Sequence, residues 1–273
     1  MNTKEPRRTY YWWPERNRLV CLDESATPDF WDRIWQSDDW AKQVTSYRKG
    51  RYFRYILSKY LPNKTSIILE GGCGDGHLVD AMNHWGYRAV GVDFAAKTIS
   101  EIKKVAPNLD VRCGDVRSLE FEDGYFDGYF SLGVIEHFWD GYADILSEMK
   151  RVLKAGGYAF VAVPSISRLE RIMMFSMYRK FTGPERPDNF YQFALDATTL
   201  KEDFERIGLE YVRTWRTGDW NILLRFVPGL YSLILGLESL SKKCRMIRLF
   251  RSAVMVLMSP ICGDNVLLVL RKK

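Results

Sequence analysis

Cysteine and histidine, the residues that most often bind structural zinc, are scarce in this chain. Its 273 residues include five cysteines and three histidines, and no two cysteines have Cys-x-x-Cys spacing. The cysteines also lack the regular framework of a disulfide-stabilised secreted domain. We therefore expect reduced thiols and no metal site. The cysteines are Cys21, Cys73, Cys113, Cys244 and Cys262.

The sequence also lacks an apolar stretch behind its polar and basic start at residues 2–8. A secretory leader would need such a stretch, so we expect a cytoplasmic protein. It contains no internal repeat and no low-complexity run. Hydrophobic residues make up 47% and charged residues 27% of the chain. This composition and length are typical of one large globular domain.

Charge is unevenly distributed, although the net charge is only +6. Acidic residues outnumber basic residues in 65–163, whereas basic residues outnumber acidic residues in 216–273. A basic tail suits nucleic acid, anionic lipid or a phosphorylated substrate, and charge alone does not select among them.

From residue 65 onward, short apolar runs alternate with helical patterns, which is typical of βαβ units. The predicted fold class is α/β, with a Rossmann-like seven-stranded, mostly parallel sheet and helices on both faces. We also predict N-terminal helices and a helical insertion before the last strand. The predicted domain covers 65–273, with helical insertions at 164–195 and 216–263. The predicted strands are 66–69, 88–93, 110–113, 126–132, 158–163, 209–215 and 265–270.

Residues 1–64 are rich in aromatic side chains, so we expect them to pack as helices. Thr27 and Pro28 form a typical helix start, and Trp31 and Trp35 follow at helical spacing. We predict that these helices form a lid over a cofactor mouth. Farther along, Thr199 and Glu202 suggest a capping box for a helix over 200–207.

The strongest local pattern is an apolar strand that runs into a glycine-rich turn with acidic residues beside it. Glycines allow close backbone approach to a ligand, but dinucleotide-binding folds place a similar turn at the same point. The Glu70 and Asp75 carboxylates would repel a pyrophosphate and favour a cationic ligand. The turn contains Gly71, Gly72, Gly74 and Gly76.

Four segments between 66 and 163 resemble, in order, the motifs of class I S-adenosylmethionine-dependent methyltransferases of the small-molecule group. The turn resembles the first motif, whose acid helps to place the methionine end of the cofactor. Asp93 and Phe94 resemble the second, where the carboxylate accepts hydrogen bonds from the ribose and the ring lies against the adenine. Asp115 and Val116 resemble the third, facing the adenine.

The fourth motif-like segment includes Ser131 and Leu132 and is followed by His137. The resemblance implies that it lines the methionine end of S-adenosyl-L-methionine and the acceptor mouth. His137 is a candidate proton acceptor for a hydroxyl acceptor, although a structural role is also typical of this position. The segment lacks the Asn/Asp-Pro-Pro-aromatic motif of nucleic-acid amino methyltransferases, so nucleic acid is disfavoured as acceptor.

Two helical segments could contact an apolar partner. In 164–183, Met173, Met177 and other apolar residues have helical spacing and could cap an acceptor pocket or pack in the core. In 226–262, two short apolar runs flank basic residues, which suits either a helical hairpin or peripheral membrane contact. These basic residues are Lys242, Lys243, Arg245, Arg248 and Arg251.

The predicted function is methyl transfer from S-adenosyl-L-methionine to a small-molecule, sugar or lipid-like acceptor. A nicotinamide-dependent dehydrogenase would share the fold, and a catalytically silent module would bind the cofactor without turnover. The sequence leaves the acceptor and the methylated atom open.

Overall fold

A computed structural model describes residues 8–35, 39–217 and 244–273. Its main sheet has seven strands in the spatial order β10-β11-β7-β6-β3-β4-β5. Neighbouring strands from β7 to β5 are parallel, whereas β11 is antiparallel to both β7 and β10. The strands are β3 Ile67–Gly71, β4 Arg88–Asp93, β5 Val111–Cys113, β6 Phe126–Leu132, β7 Leu153–Pro164, β10 Leu209–Thr217 and β11 Asn265–Lys272.

Helices cover both faces of this sheet. Tyr129 and Phe130 are adjacent on β6 and therefore point to opposite faces, where each joins a different core cluster. Phe130 stacks on Phe160 of β7 with ring centroids 4.5 Å apart. The helices are α1 Pro28–Ile34, α2 Trp40–Lys49, α3 Tyr52–Tyr60, α4 His77–His84, α5 Ala96–Val105, α6 Ala143–Val152, α7 Arg168–Met177, α8 Ala197–Arg206 and α9 Arg245–Cys262.

The predicted seven-stranded, mostly parallel sheet is confirmed, and most predicted strands differ from the observed ones by only a few residues at their ends. β7 is longer, because it begins at Leu153 rather than at 158 and runs through Gly156 and Gly157. The helix predicted over 200–207 begins earlier. Asp196 caps it by accepting a hydrogen bond from the Thr199 amide, 3.0 Å away, so Asp196 replaces Thr199 as the N-cap.

A second, four-stranded sheet was not predicted, and the expectation that residues 1–64 form only helices is wrong for 9–22. The strands β1 Thr9–Trp13 and β2 Arg18–Leu22 form an antiparallel hairpin. They pair with the short β8 Arg179–Lys180 and with β9 Phe190–Ala194, in the order β8-β1-β2-β9. The insertion predicted as helical at 164–195 therefore consists of α7 followed by two strands. Of the insertion predicted at 216–263, residues 218–243 lie outside the described part.

The small helix α1 is fastened to α5 by a buried carboxylate. Asp32 is 6% exposed. It accepts hydrogen bonds from the Thr98 amide at 2.8 Å and the Thr98 hydroxyl at 3.0 Å. The amide lies in the first turn of α5, whose N–H groups have no partner within the helix. Asp29, also on α1, forms an exposed ion pair with Lys97 instead.

We expect Asp32→Ala to release α1 from α5 while leaving the main sheet folded. Loss of a buried acceptor leaves the Thr98 donors unpaired, which typically costs about 1 to 3 kcal/mol. Hydrogen exchange should therefore speed up in 28–34 and in the first turn of α5. The matched variant Asp29→Ala removes only an exposed ion pair and should change exchange little. Unchanged protection of 28–34 in Asp32→Ala would show that other contacts hold α1.

Candidate active site

A cavity of about 510 Å³ opens at the carboxyl edge of the parallel strands. Its volume is within the range of ligand pockets. The β3–α4 turn, the ends of β4 and β6 and the segment after β5 all contribute to its wall. The predicted site residues that line it are Gly72, Asp93, Phe94, Asp115, Val116, Leu132 and His137. Ligands of open α/β sheets bind at this edge.

The turn after β3 requires glycine for steric reasons. Gly72 and Gly74 have φ angles of 76° and 49°, a region that disfavours other residues. A Cβ atom on Gly74 would lie 2.7 Å from the Trp35 ring, and one on Gly72 would lie 2.3 Å from a methyl group of Val134. The absence of side chains thus lets Trp35 and the segment after β6 pack closely on the turn.

Asp93 connects the turn to the neighbouring strand. One carboxylate oxygen accepts a hydrogen bond from the Gly74 amide at 2.8 Å, and the other accepts one from the Ala95 amide at 2.9 Å. Each oxygen has a second lone pair, so Asp93 retains acceptor capacity for ligand hydroxyls. Burial raises the pKa of Asp93, and the two amide hydrogen bonds partly oppose that rise.

Glu70 lies beneath the turn rather than on the cavity wall. It is 5% exposed, and its Oε2 has no hydrogen-bond partner among the described residues. Burial raises its pKa well above the ordinary value, and the nearby Asp75 and Asp93 carboxylates raise it further. Four other predicted site residues are also not among the described residues that line the cavity. They are Gly71, Gly74, Gly76 and Ser131.

In the third motif-like segment, the Asp115 carboxylate already has a partner within the protein. Asp115 lines the cavity, but Arg117 holds its carboxylate in an ion pair, with closest atoms 2.6 Å apart. The Arg117 hydrogen bonds lower the pKa of Asp115. Phe94 is 40% exposed on the cavity wall and leaves a ring face accessible.

His137 lies on the cavity wall in a hydrogen-bonded and largely apolar setting. Its Nδ1 is 2.7 Å from the Tyr191 carbonyl oxygen. A carbonyl only accepts, so Nδ1 carries the proton and Nε2 keeps a lone pair. Burial lowers the pKa of His137 to about 4, so the ring is neutral at physiological pH. The Trp31 ring packs edge-on at 5.0 Å.

Glu136, next to His137, is 1% exposed, and its Oε2 has no partner among the described residues. Burial raises its pKa to about 8, although backbone hydrogen bonds partly oppose the rise.

Aromatic residues form the other end of the cavity, and sequence reasoning found only part of them. Trp31 and Trp35 stack on each other at 5.8 Å, and both line the cavity. Trp139 also lines it, held between Trp13 of β1 at 5.0 Å and Phe193 of β9 at 5.4 Å. The unpredicted small sheet therefore supports the cavity wall. Other lining residues missed from the sequence are Ala26, Arg117, Asp140, Gly141, Ala143, Asp144 and Arg186.

The polar end of the cavity suits a ligand that combines hydroxyl groups with positive charge. Three buried carboxylates belong to Glu70, Asp75 and Asp93, and the charges of Asp75 and Asp93 lie close enough to raise the pKa of Glu70. A phosphate here would meet like charge, whereas the sulfonium and ammonium groups of S-adenosylmethionine are cationic. The orphaned Glu70 oxygen and the glycine turn thus fit this cofactor.

The comparisons with known proteins agree with this geometry. Residues 69–161 match the family described as "Methyltransferase domain". A probable S-adenosylmethionine-dependent methyltransferase of Mycolicibacterium smegmatis is 34% identical over 144 residues. That match covers 52% of this chain and 51% of the relative, so the chain spans about half the length of that relative.

Solved structures share the fold at low identity. The PH0226 protein of Pyrococcus horikoshii aligns with a TM-score of 0.54 and 17% identity, covering 88% of this chain and 93% of its own. The Burkholderia thailandensis 1,6-didemethyltoxoflavin-N1-methyltransferase, solved with S-adenosylhomocysteine, aligns with a TM-score of 0.51 and 15% identity. That alignment covers 97% of this chain and 99% of the other.

We expect Asp93→Ala to weaken binding of S-adenosylmethionine. Loss of an acceptor that leaves ligand hydroxyls unpaired costs about 1 to 3 kcal/mol, or roughly 5- to 150-fold in Kd. Isothermal titration measures this, and NAD serves as the comparison ligand. Two further variants serve as comparisons for Asp93→Ala. Asp93→Asn preserves the size of the side chain and one acceptor oxygen. Asp110→Ala removes an exposed aspartate of the surface ion pair with Arg112. A folded Asp93→Ala protein with unchanged affinity would contradict the assignment.

We expect Glu136→Gln to gain stability relative to the unaltered chain as pH rises from 5 to 7.5. The folded protein keeps Glu136 protonated up to about pH 8, whereas the unfolded chain ionises it above about 4.5. The unaltered protein therefore loses stability across this window, by at most about 1.4 kcal/mol per pH unit. Urea unfolding at several pH values measures the difference. For the control, Glu120→Gln at an exposed position, the difference in unfolding free energy from the unaltered chain should not change with pH. If the same difference for Glu136→Gln does not change with pH, Glu136 is ionised in the folded protein.

Proposed function

We propose that this chain, which carries a class I S-adenosylmethionine-dependent methyltransferase domain at residues 69–161, methylates a small-molecule or lipid-like acceptor. One observation carries this proposal. A single cavity combines the glycine turn and Asp93 at one end with the aromatic wall of Trp31, Trp35 and Trp139 at the other. Such a cavity suits a cationic cofactor beside an apolar acceptor.

When bound, S-adenosylmethionine supplies a methyl group on a sulfonium that is already a good leaving group. The protein therefore has mainly to align the acceptor and exclude water. Asp93 would accept hydrogen bonds from the ribose, Phe94 would lie against the adenine, and the buried carboxylates would favour the positive charge. Asp115 and Val116 would face the adenine edge, with Asp115 oriented by Arg117.

His137 is the proposed proton acceptor for a hydroxyl acceptor. The Tyr191 carbonyl fixes the protonated Nδ1, so Nε2 remains available as a base. A pKa of about 4 keeps this nitrogen unprotonated throughout the neutral range. Tyr191 and Trp31 pack against the ring edge-on, which restricts its orientation.

We assign α1 the role of a lid, because Trp31 and Trp35 line the cavity while Asp32 fastens the helix to α5. We further propose peripheral membrane contact for the region 226–262. Its basic residues at 242 and 243 lie outside the described residues, and so do the side chains of those at 245, 248 and 251. The support for this contact is the sequence pattern of apolar runs around basic residues.

We expect the purified chain to form S-adenosylhomocysteine in an acceptor-dependent reaction. The assay uses a panel of hydroxyl and amine compounds together with lipid and glycan intermediates. With a hydroxyl acceptor, the His137→Gln variant should lower kcat by about 100-fold or more without changing cofactor Kd. The rate of the unaltered enzyme should stay flat between about pH 5.5 and 7, because His137 is already neutral there.

His84→Gln provides the matched control, because His84 is exposed on α4 and outside the cavity. It should leave kcat and cofactor affinity unchanged. Tight cofactor binding without turnover on any acceptor would identify a cofactor-binding module instead. Binding of NAD in preference to S-adenosylmethionine would overturn the proposed function altogether.

A further inference from the structure

The outward face of α7 exposes large apolar side chains beside arginines, whereas the outward face of a surface helix is usually polar throughout. Phe175 is 88% exposed and Ile172 is 79% exposed. They lie with Arg168 and Arg171 at i, i+3, i+4 and i+7, so the four side chains share one face. The opposite face carries the buried Glu170 and Met174. Burial in the core therefore does not account for Ile172 and Phe175.

The neighbouring helix α9 continues this apolar surface. It packs against α7. Leu257 is 75% exposed, Met246 is 78% exposed and Ile261 is 45% exposed. With Ala253 and Pro260 they follow helical spacing along one side of α9. Single exposed apolar residues are ordinary, but a cluster across two adjacent helices marks an interaction surface.

Positive charge surrounds the α7 part of this surface. Arg168, Arg171, Arg179 and Lys180 are exposed. Arg171 pairs with Asp196 and Lys180 with Glu15, whereas Arg168 and Arg179 have no ion pair among the described residues. Arg168 and Arg171 also lie close enough to the half-buried Arg216 to lower its pKa, although burial is the larger cause. The charge at this end of α7 is thus incompletely neutralised.

The two helices lie at the cavity edge of the main sheet. α7 begins shortly after β7 ends at Pro164, and α9 ends shortly before β11 begins at Asn265, which pairs with Pro164. Arg216 fastens the two junctions by donating to the carbonyl oxygens of Ile166 and Gly263. α7 and α9 therefore lie at the same carboxyl edge of the sheet as the cavity.

We propose that the exposed faces of α7 and α9 form a docking surface for an anionic phospholipid bilayer. This inference rests on the proposed function, because docking would present a lipid-like acceptor to the cavity edge. In the described part of the chain, no helix is long and apolar enough to span a bilayer. In this proposal the surface lies on the membrane, with Phe175, Ile172 and Leu257 in the acyl region. Arg168 and Arg179 face the headgroup phosphates.

Vesicle co-sedimentation of the full chain tests this proposal without an acceptor. Binding to phosphatidylcholine vesicles containing phosphatidylglycerol should exceed binding to pure phosphatidylcholine and should weaken with salt. The Ile172→Ser/Phe175→Ser double variant should lower the partition coefficient about tenfold or more, and so should Arg168→Glu/Arg179→Glu. Cofactor affinity, measured by titration on the same samples, should not change.

Matched controls use exposed residues away from this surface. Val105→Ser replaces a 60% exposed apolar residue on α5. The Arg88→Glu/Lys103→Glu double variant reverses two exposed charges, at the amino end of β4 and late in α5. Neither should alter partitioning.

Absence of vesicle binding at low salt, with intact cofactor binding, would overturn the docking surface and leave the proposed function standing. Dimerisation in analytical ultracentrifugation that Ile172→Ser/Phe175→Ser abolishes, without vesicle binding, would assign the surface to a second copy of this chain. If the unaltered chain does not bind the cofactor at all, this result would instead count against the proposed function.

Discussion

The Asp93 carboxylate holds the ligand-binding edge of this protein together. It accepts backbone N–H groups from both the β3–α4 turn and the entry to α5. From α5 the connections continue, because Thr98 donates to Asp32 of α1 and Trp35 at the end of that helix packs over Gly74. The contacts thus form a closed circuit from Asp93 through α5 and α1 back to the turn. A substitution at any of these residues affects the others, because buried, directional hydrogen bonds connect them.

The main sheet could be predicted because each of its strands is a short apolar run between turn signals, and the core residues follow from that period. The small sheet could not be predicted by the same reasoning. β1 and β2 are aromatic and β-branched strands, which can be interpreted as packed helices when local pattern alone is used. β9 lies far from them in sequence, so its pairing with β2 is a long-range tertiary contact. The Asp32–Thr98 contact has no local signal at all, because its partners are separated by 66 positions.

Within the site, sequence reasoning identified residues at strand ends together with Trp31 and Trp35 of the N-terminal segment, and it missed others, such as Trp139, that reach the cavity from elsewhere. Gly72, Asp93 and Leu132 occupy positions that the strand order brings to one edge. Trp139 reaches its place only because Trp13 and Phe193 enclose it. Burial also set ionisation states that composition does not reveal. Burial disfavours the anionic forms of Glu70 and Asp93, and a nearby cationic ligand would relieve that penalty. The electrostatic cost of burying these carboxylates would thereby become selectivity for positive charge.

The position of β11 inside the sheet has a consequence for synthesis of the protein on the ribosome. Among the described strands, β10 pairs with β11 alone, yet residues 218–264 separate the two strands in the chain. While these residues are still being translated, β10 has no partner strand and the outer edge of β7 is uncovered. The five-stranded remainder can condense earlier, so the nascent chain passes through a state with an open sheet edge. Such an edge invites pairing with other chains. A chaperone that covers this edge would keep the nascent chain from aggregating. Rapid translation through 218–264 would shorten the interval in which the edge is exposed.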